Sequence, residues 1–127
     1  MGWPQLASQV ESVVATLSPS DRARAVILTG SYGQYSALTL LGSGLPQVVS
    51  GHNSTWDWGR PASDARPVIL IGFSSPYADA GFTGCRRAAT IDNGLGVPTQ
   101  EQGTPIWICD APRQSWDALW PSLRHIN

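Results

Sequence analysis

Lysine is missing from this chain of 127 residues, and charged side chains of every kind make up only 13% of it. All eight basic residues are arginines, nine residues are acidic, and the formal net charge is -1. A basic footprint for nucleic acid is therefore excluded, and we expect no nucleic-acid partner. Genomic base composition explains the missing lysine more simply than a functional device does.

Long apolar runs are missing as well. The longest run, 68–73, has the length of a strand, whereas a membrane-spanning helix needs about 20 apolar residues. No signal peptide precedes the first predicted helix, which begins almost at the first residue. We therefore interpret the chain as a domain excised from a larger membrane protein, with Met1 as an added start. An intact small cytosolic protein is the alternative.

Metal-binding residue types are scarce, with two cysteines and two histidines. The spacing of Cys85 and Cys109 with His52 and His125 matches no structural zinc site. No local motif supports a cysteine nucleophile either. We expect neither a metal nor another cofactor.

The two cysteines occupy equivalent positions in two predicted strands. If 85–91 and 105–109 pair as antiparallel strands about a loop centred near Val97, Cys85 and Cys109 are cross-strand partners. A disulfide between them would close a loop of about 25 residues, contribute roughly 3 kcal/mol and indicate an oxidising compartment. Two buried free thiols in a cytosolic protein are the alternative.

Hydrophobic spacing predicts alternating helices and strands. The predicted helical segments are 3–17, 34–41, 74–81 and one starting at 115, and the predicted strands are 25–29, 46–49, 68–73, 85–91 and 105–109. We expect 18–24 to form a turn and a polar lead into the first strand, and Pro121 to kink or end the last helix. The fold class is therefore α/β. We expect a single three-layer domain over 1–127, whose central, mostly parallel sheet of about five strands is flanked by helices, with the last two strands antiparallel.

Tryptophan is abundant, with six residues, and two of them lie in a connection between predicted strands. The candidate ligand-binding residues of this connection are His52, Asn53, Trp56, Asp57 and Trp58. Their rings and polar groups could stack on a sugar ring and hydrogen-bond its hydroxyls. The alternative is a loop that folds over the domain edge and uses both tryptophans as plugs.

A second unusual connection, 92–103, contributes Asp92, Asn93, Glu101 and Gln102 as candidate ligand-binding residues. These polar groups are sufficient to bind a polyol. Asp92 and Glu101 could also form a carboxylate pair of the glycosidase type. A solvated hairpin loop is the alternative.

A glycine-containing turn, 29–33, lies between a predicted strand and a predicted helix. A helix starting there could hold an anion at its amino end, but the segment is neither G-x-G-x-x-G nor a Walker loop. The simpler explanation is that the turn needs small residues to leave the strand. No G-x-S-x-G motif occurs, so a hydrolase nucleophile elbow is not predicted.

Four stretches in combination resemble a known family. They read AVILTGSYG at 25–33, SGHNS followed by WDWG within 50–59, IDNG through EQG to WIC within 91–109, and LWPSLRH at 119–125. This combination resembles the C-terminal extracytoplasmic domain of polytopic bacterial membrane glycosyltransferases, which are similar to protein O-mannosyltransferases and to the aminoarabinose transferases of lipid A. The resemblance covers essentially the whole chain.

The resemblance implies an accessory role. The whole protein would carry membrane helices upstream and would transfer a sugar from a polyprenyl-phosphate donor to an acceptor on the extracytoplasmic face of the bacterial membrane. The catalytic acidic residues of that family lie in its membrane part, so none is carried over to this chain. The implied partners are its own upstream membrane domain and a glycan acceptor or lipid-linked sugar. The alternatives are a free-standing glycoside hydrolase using Asp92 and Glu101, and a purely structural docking domain.

Overall fold

A computed structural model of the chain describes residues 3–50, 61–90 and 103–123. The elements of these ranges are α1 (Trp3–Ala15), α2 (Pro19–Arg24), β1 (Val26–Thr29), α3 (Tyr32–Leu41), β2 (Gln47–Ser50), β3 (Val68–Ile71), α4 (Ser75–Gly81), β4 (Phe82–Thr83), β5 (Arg86–Thr90), β6 (Pro105–Cys109), β7 (Ala111–Pro112) and α5 (Trp116–Leu123). The predicted α/β class is confirmed. None of the helices in these ranges has the length and apolarity that a membrane crossing requires.

The main sheet contains five strands in the order β2-β1-β3-β6-β5. β1 pairs in parallel with both β2 and β3, and β6 pairs antiparallel with both β3 and β5. All of its strands except β6 therefore run in one direction. The predicted parallel pair around the first βα connection and the antiparallel last pair are both confirmed. The short strands β4 and β7, which were not predicted, form a separate antiparallel pair.

Buried side chains from the strands fall into two apolar clusters, because neighbouring residues of a strand point to opposite faces of a sheet. One cluster joins residues of α1 and α3 to Ile27, Ile69, Ile71, Ile106 and Ile108. The other joins Ala78 of α4 and residues of α5 to Val26, Leu28, Val68, Leu70, Trp107 and Cys109. Every residue of β1 and β3 is buried, which explains their continuous apolar sequences.

The segment after α1 differs from the sequence prediction. Residues 19–24 form helix α2, so the predicted turn and polar lead were wrong here. Ser18 caps this helix by accepting a hydrogen bond from the Asp21 backbone N–H at 3.2 Å, and Pro19 occupies its first turn. No residue of α2 is buried, so hydrophobic periodicity gave no signal for it.

The last helix continues through Pro121 to Leu123. Of the two predicted alternatives, an end at Pro121 was wrong and a kink there stays a prediction. The physical reason is packing. Trp116, Leu119, Trp120 and Leu123 are buried in the same apolar cluster. Burial of this face holds the final turn in place despite the missing N–H of the proline.

Cys85 and Cys109 form the predicted disulfide, with their Cα atoms 4.0 Å apart. The strand register pairs Arg86 with Ile108 and Arg87 with Trp107, which confirms the cross-strand arrangement. The bond ties the exposed edge strand β5 to β6, its neighbour in the sheet. A structural disulfide is consistent with an oxidising compartment.

Candidate binding site at the carboxyl edge of the sheet

The side chains predicted to bind a ligand lie outside the described residues. They are His52, Asn53, Trp56, Asp57 and Trp58 in the first connection, and Asp92, Asn93, Glu101 and Gln102 in the second. Their role in binding therefore stays a prediction.

Described residues next to both connections lie at one edge of the main sheet. The strands β1, β2, β3 and β5 all end there and β6 begins there, and we call it the carboxyl edge. Ser50, which precedes the first connection, pairs with Thr29. Thr90, which precedes the second, pairs with Pro105 at the start of β6. Both connections therefore start from the carboxyl edge.

A cleft of about 320 Å³ opens at this edge between the ends of β1 and β3. After β1 the chain enters α3, which packs in the first apolar cluster. After β3 it enters α4, which packs in the second cluster on the other face of the sheet. Adjacent parallel strands whose connections go to opposite sides leave a crevice, and open α/β sheets bind ligands there. The described residues that line this β1–β3 cleft are Gly30, Ser31, Gln34, Gly72, Phe73, Ser74, Thr104 and Pro105.

Buried polar residues mark the same edge. In the described ranges, the buried polar residues are Thr29, Gln34 and Ser50. The Thr29 hydroxyl donates to the Val49 carbonyl at 3.1 Å. The Gly30 N–H donates to both Gln34 Oε1 at 3.0 Å and the Ile71 carbonyl at 2.9 Å. Since buried polar groups are costly unless paired, these hydrogen bonds offset the cost of burying Thr29 and Gln34 at this edge.

Two glycines, Gly30 and Gly72, line the β1–β3 cleft. Gly72 has φ +89, and a Cβ there would lie 2.8 Å from Gln34 Oε1. A Cβ on Gly30 would lie 3.0 Å from the Gly72 carbonyl oxygen. Both positions therefore favour glycine, which lets the two turns approach each other and leaves main-chain atoms accessible to a ligand.

We expect Gly72→Ala to lower the free energy of unfolding by about 2 kcal/mol, because it places a Cβ in a left-handed conformation against the Gln34 amide. The matched control is Gly81→Ala at the end of α4, where a Cβ meets nothing within 4 Å. That variant should be neutral or slightly more stable. Urea unfolding of both variants checks the prediction, and equal midpoints would contradict it.

Two serines in the lining use their hydroxyls differently. Ser31 caps α3, since its Oγ accepts a hydrogen bond from the Gln34 N–H at 3.2 Å. Ser74 stands at the equivalent position before α4, but its side chain makes no capping hydrogen bond. The exposed residue Ser74 therefore lines the cleft without capping α4 through its hydroxyl.

Aromatic rings flank the cleft on the α4 side. The Phe73 ring stacks on Tyr77 with the centroids 4.9 Å apart and the planes 17° from parallel. The indole N–H of Trp107 donates to the Phe73 carbonyl at 2.9 Å, which fixes the backbone beneath this stack. Burial raises the pKa of the Tyr77 phenol above its usual 10.0.

Charge is missing from the described lining of the cleft: none of its side chains is ionisable. The Arg87 guanidinium lies 5.3 Å from the centroid of the Trp107 ring, and neither residue belongs to the described lining. In the described ranges, no cluster of His, Cys, Asp and Glu side chains is placed to hold a metal ion. The cleft therefore offers hydroxyls, amides and an aromatic face.

A larger groove of about 600 Å³ lies between α1 and the edge strand β5. Its described lining is Gln9, Ser12, Val13, Thr16, Arg86, Ala88, Ala89 and Ile108. The Gln9 side-chain amide donates to the Thr90 carbonyl at 3.1 Å and links the helix to the strand. We favour the smaller β1–β3 cleft because it lies where strand ends and their polar connections meet.

Sequence reasoning missed Gln34, Gly72, Phe73 and Ser74 as site residues. A signal was present, since each of the two most buried strands is followed by a glycine and then by a serine that precedes a helix. That repeated pattern puts small polar turns at neighbouring strand ends. Comparisons of the chain with protein-family models, curated proteins and solved structures found no match.

Proposed function

We propose that this chain is an accessory, non-catalytic extracytoplasmic domain of an integral membrane glycosyltransferase that uses a polyprenyl-phosphate-linked sugar donor. In this role the domain contacts the glycan acceptor at its carboxyl edge. Its partners are the upstream membrane domain and the acceptor or the lipid-linked sugar. The proposal rests on the sequence resemblance, and the structure supports it through two features.

The observation that carries the proposal is the concentration of ligand-binding features at the carboxyl edge. The uncharged β1–β3 cleft opens there. The connection with Trp56 and Trp58 (the tryptophan-bearing connection) starts there after Ser50. The connection with Asn93 and Gln102 (the amide-bearing connection) starts there after Thr90. Neutral hydrogen-bonding groups beside aromatic rings suit a carbohydrate, which offers hydroxyls around an apolar ring face.

Compartment and architecture support the same proposal. The Cys85–Cys109 disulfide fits a domain exposed outside the reducing cytosol. We also infer a three-layer arrangement, since α1 and α3 share one apolar cluster with the sheet while α4 and α5 share the other. In such an arrangement the helices cover both faces of the sheet. The strand ends, including the carboxyl edge, are then left for contacts with ligands and with the membrane part.

Fractionation of the native host cells tests the proposed placement. With an antibody against the 127-residue chain, we expect the epitope in the membrane fraction, resistant to carbonate extraction. Protease added to intact spheroplasts should destroy it. The control is a cytosolic enzyme, which must survive the same treatment. An epitope that remains in the cytosolic fraction and is protected from protease would contradict the proposal.

A further inference from the structure

We propose that the β1–β3 cleft binds one uncharged sugar ring and that Ser74 is a specificity-determining residue for it. This inference rests on the proposed function and identifies the ligand class at the same edge. It is carried by the size of the cleft, by the chemistry of its lining and by the hydroxyl of Ser74, which makes no helix-capping hydrogen bond.

The size of the cleft fits a single ring. Its volume of about 320 Å³ lies at the lower end of the range of about 300–1,000 Å³ for small-molecule sites. An extended oligosaccharide would have to continue beyond it along the carboxyl edge. The cleft therefore accommodates one ring of a glycan.

The lining supplies both kinds of contact that a sugar ring needs. The half-buried Phe73 side chain lines the cleft, stacks on Tyr77 and supplies apolar aromatic surface. The two glycines of the lining leave main-chain atoms accessible to the ring, because no Cβ projects from Gly30 or Gly72. Each serine hydroxyl can both donate and accept a hydrogen bond.

Ser74 is distinguished from the other serines that precede helices. The hydroxyls of Ser18 and Ser31 accept backbone N–H groups of α2 and α3. Ser74 has the extended backbone of a capping residue, φ -75 and ψ 161, yet its hydroxyl makes no such bond. Ser74 also lines the cleft, so its hydroxyl has both its donor and its acceptor capacity available for a sugar hydroxyl there.

An anionic ligand is the main competing occupant. The amino end of α3 lies at the cleft and favours negative charge. However, the Ser31 hydroxyl already accepts a hydrogen bond from this end of the helix, and no described arginine lines the cleft. A phosphorylated or carboxylated sugar would therefore lack a counter-charge, and we favour the neutral ring.

Titration of the 127-residue chain tests the proposal, with methyl α-D-mannopyranoside and methyl α-D-arabinofuranoside as neutral probes and mannose 6-phosphate as the charged probe. We expect at least one neutral probe to bind more tightly than the phosphate. Ser74→Ala should weaken that binding about three- to tenfold by removing a hydrogen bond, while its unfolding midpoint stays unchanged. Ser18→Ala is the matched control, which should lose stability through its α2 cap but keep full affinity.

The outcomes separate this inference from the proposed function. Unchanged affinity in Ser74→Ala would overturn the role of Ser74, and tighter binding of mannose 6-phosphate would overturn the preference for a neutral ring. Neutral-sugar binding that amide chemical shifts map outside the cleft would overturn the cleft assignment. Each of these outcomes leaves glycan contact standing. An absence of binding by any sugar would overturn the cleft assignment and also remove acceptor contact from the proposed function. Membrane attachment is tested independently by the fractionation.

Discussion

Replacing Trp116 with alanine is expected to lower the free energy of unfolding by about 4 kcal/mol, since truncating a buried tryptophan leaves a large cavity. Trp116 is 1% exposed and is among the largest fully buried side chains of the described core. Its ring packs against Phe82 with the centroids 6.0 Å apart. Its indole N–H also donates to the Ala65 carbonyl at 3.0 Å, which links α5 to the segment before β3.

A conservative variant separates the two contributions of Trp116. Trp116→Phe keeps most of the apolar volume but leaves the Ala65 carbonyl without its indole donor, which should cost about 1–3 kcal/mol. Guanidinium chloride unfolding of both variants, each with the disulfide intact, measures the difference. A loss below about 1 kcal/mol in the alanine variant would contradict the core position of this ring.

Removing the Cys85–Cys109 disulfide is the second large change, and we expect it to lower the free energy of unfolding by about 3 kcal/mol. The bond closes a loop with a sequence separation of 24, so its loss restores conformational entropy to the unfolded chain. It also releases β5, in which four of the five residues are exposed, from its covalent tie to β6. We therefore expect β5 amides to lose hydrogen-exchange protection first.

Two measurements isolate the effect of the cross-link. The reduced wild-type chain keeps both sulfur atoms and loses only the bond, whereas Cys85→Ala with Cys109→Ala also removes volume at the buried Cys109. Both should unfold at lower denaturant concentration than the oxidised chain, and the double variant at the lowest. An unfolding midpoint that does not change on reduction would contradict a stabilising disulfide.

Much of the fold follows from local sequence patterns. The continuous apolar runs that became β1 and β3 predict buried strands. The helix between the first two strands predicts their parallel pairing. The disulfide follows from the equal distance of Cys85 and Cys109 from the centre of one connection, once the two strands are taken to pair. Each prediction uses a strong signal over a short stretch.

The missed elements are those whose signals are weak or non-local. Helix α2 buries no residue, and the strands β4 and β7 contain only two residues each. Pro121 carries a local helix-ending signal that the burial of α5 against the sheet overrides. In each case the deciding energy comes from capping or from tertiary packing rather than from periodicity.

The β1–β3 cleft required the tertiary structure for a related reason. Gly30 and Gly72 are distant in sequence but meet because β1 and β3 are neighbours, although β2 separates them along the chain. The tryptophan-bearing and amide-bearing connections were conspicuous from composition. Their common origin at the carboxyl edge depends on the strand order, which composition does not report.

The central claim is that the carboxyl edge binds a glycan, and a chemical-shift titration of the isotope-labelled chain with the neutral sugar probes tests it most directly. We predict saturable shifts of the Gly30, Gly72 and Ser74 amides and of the Trp107 indole N–H, which is hydrogen-bonded to the Phe73 carbonyl. Shifts confined to other parts of the chain, or no shifts with any probe at millimolar concentration, would contradict the claim.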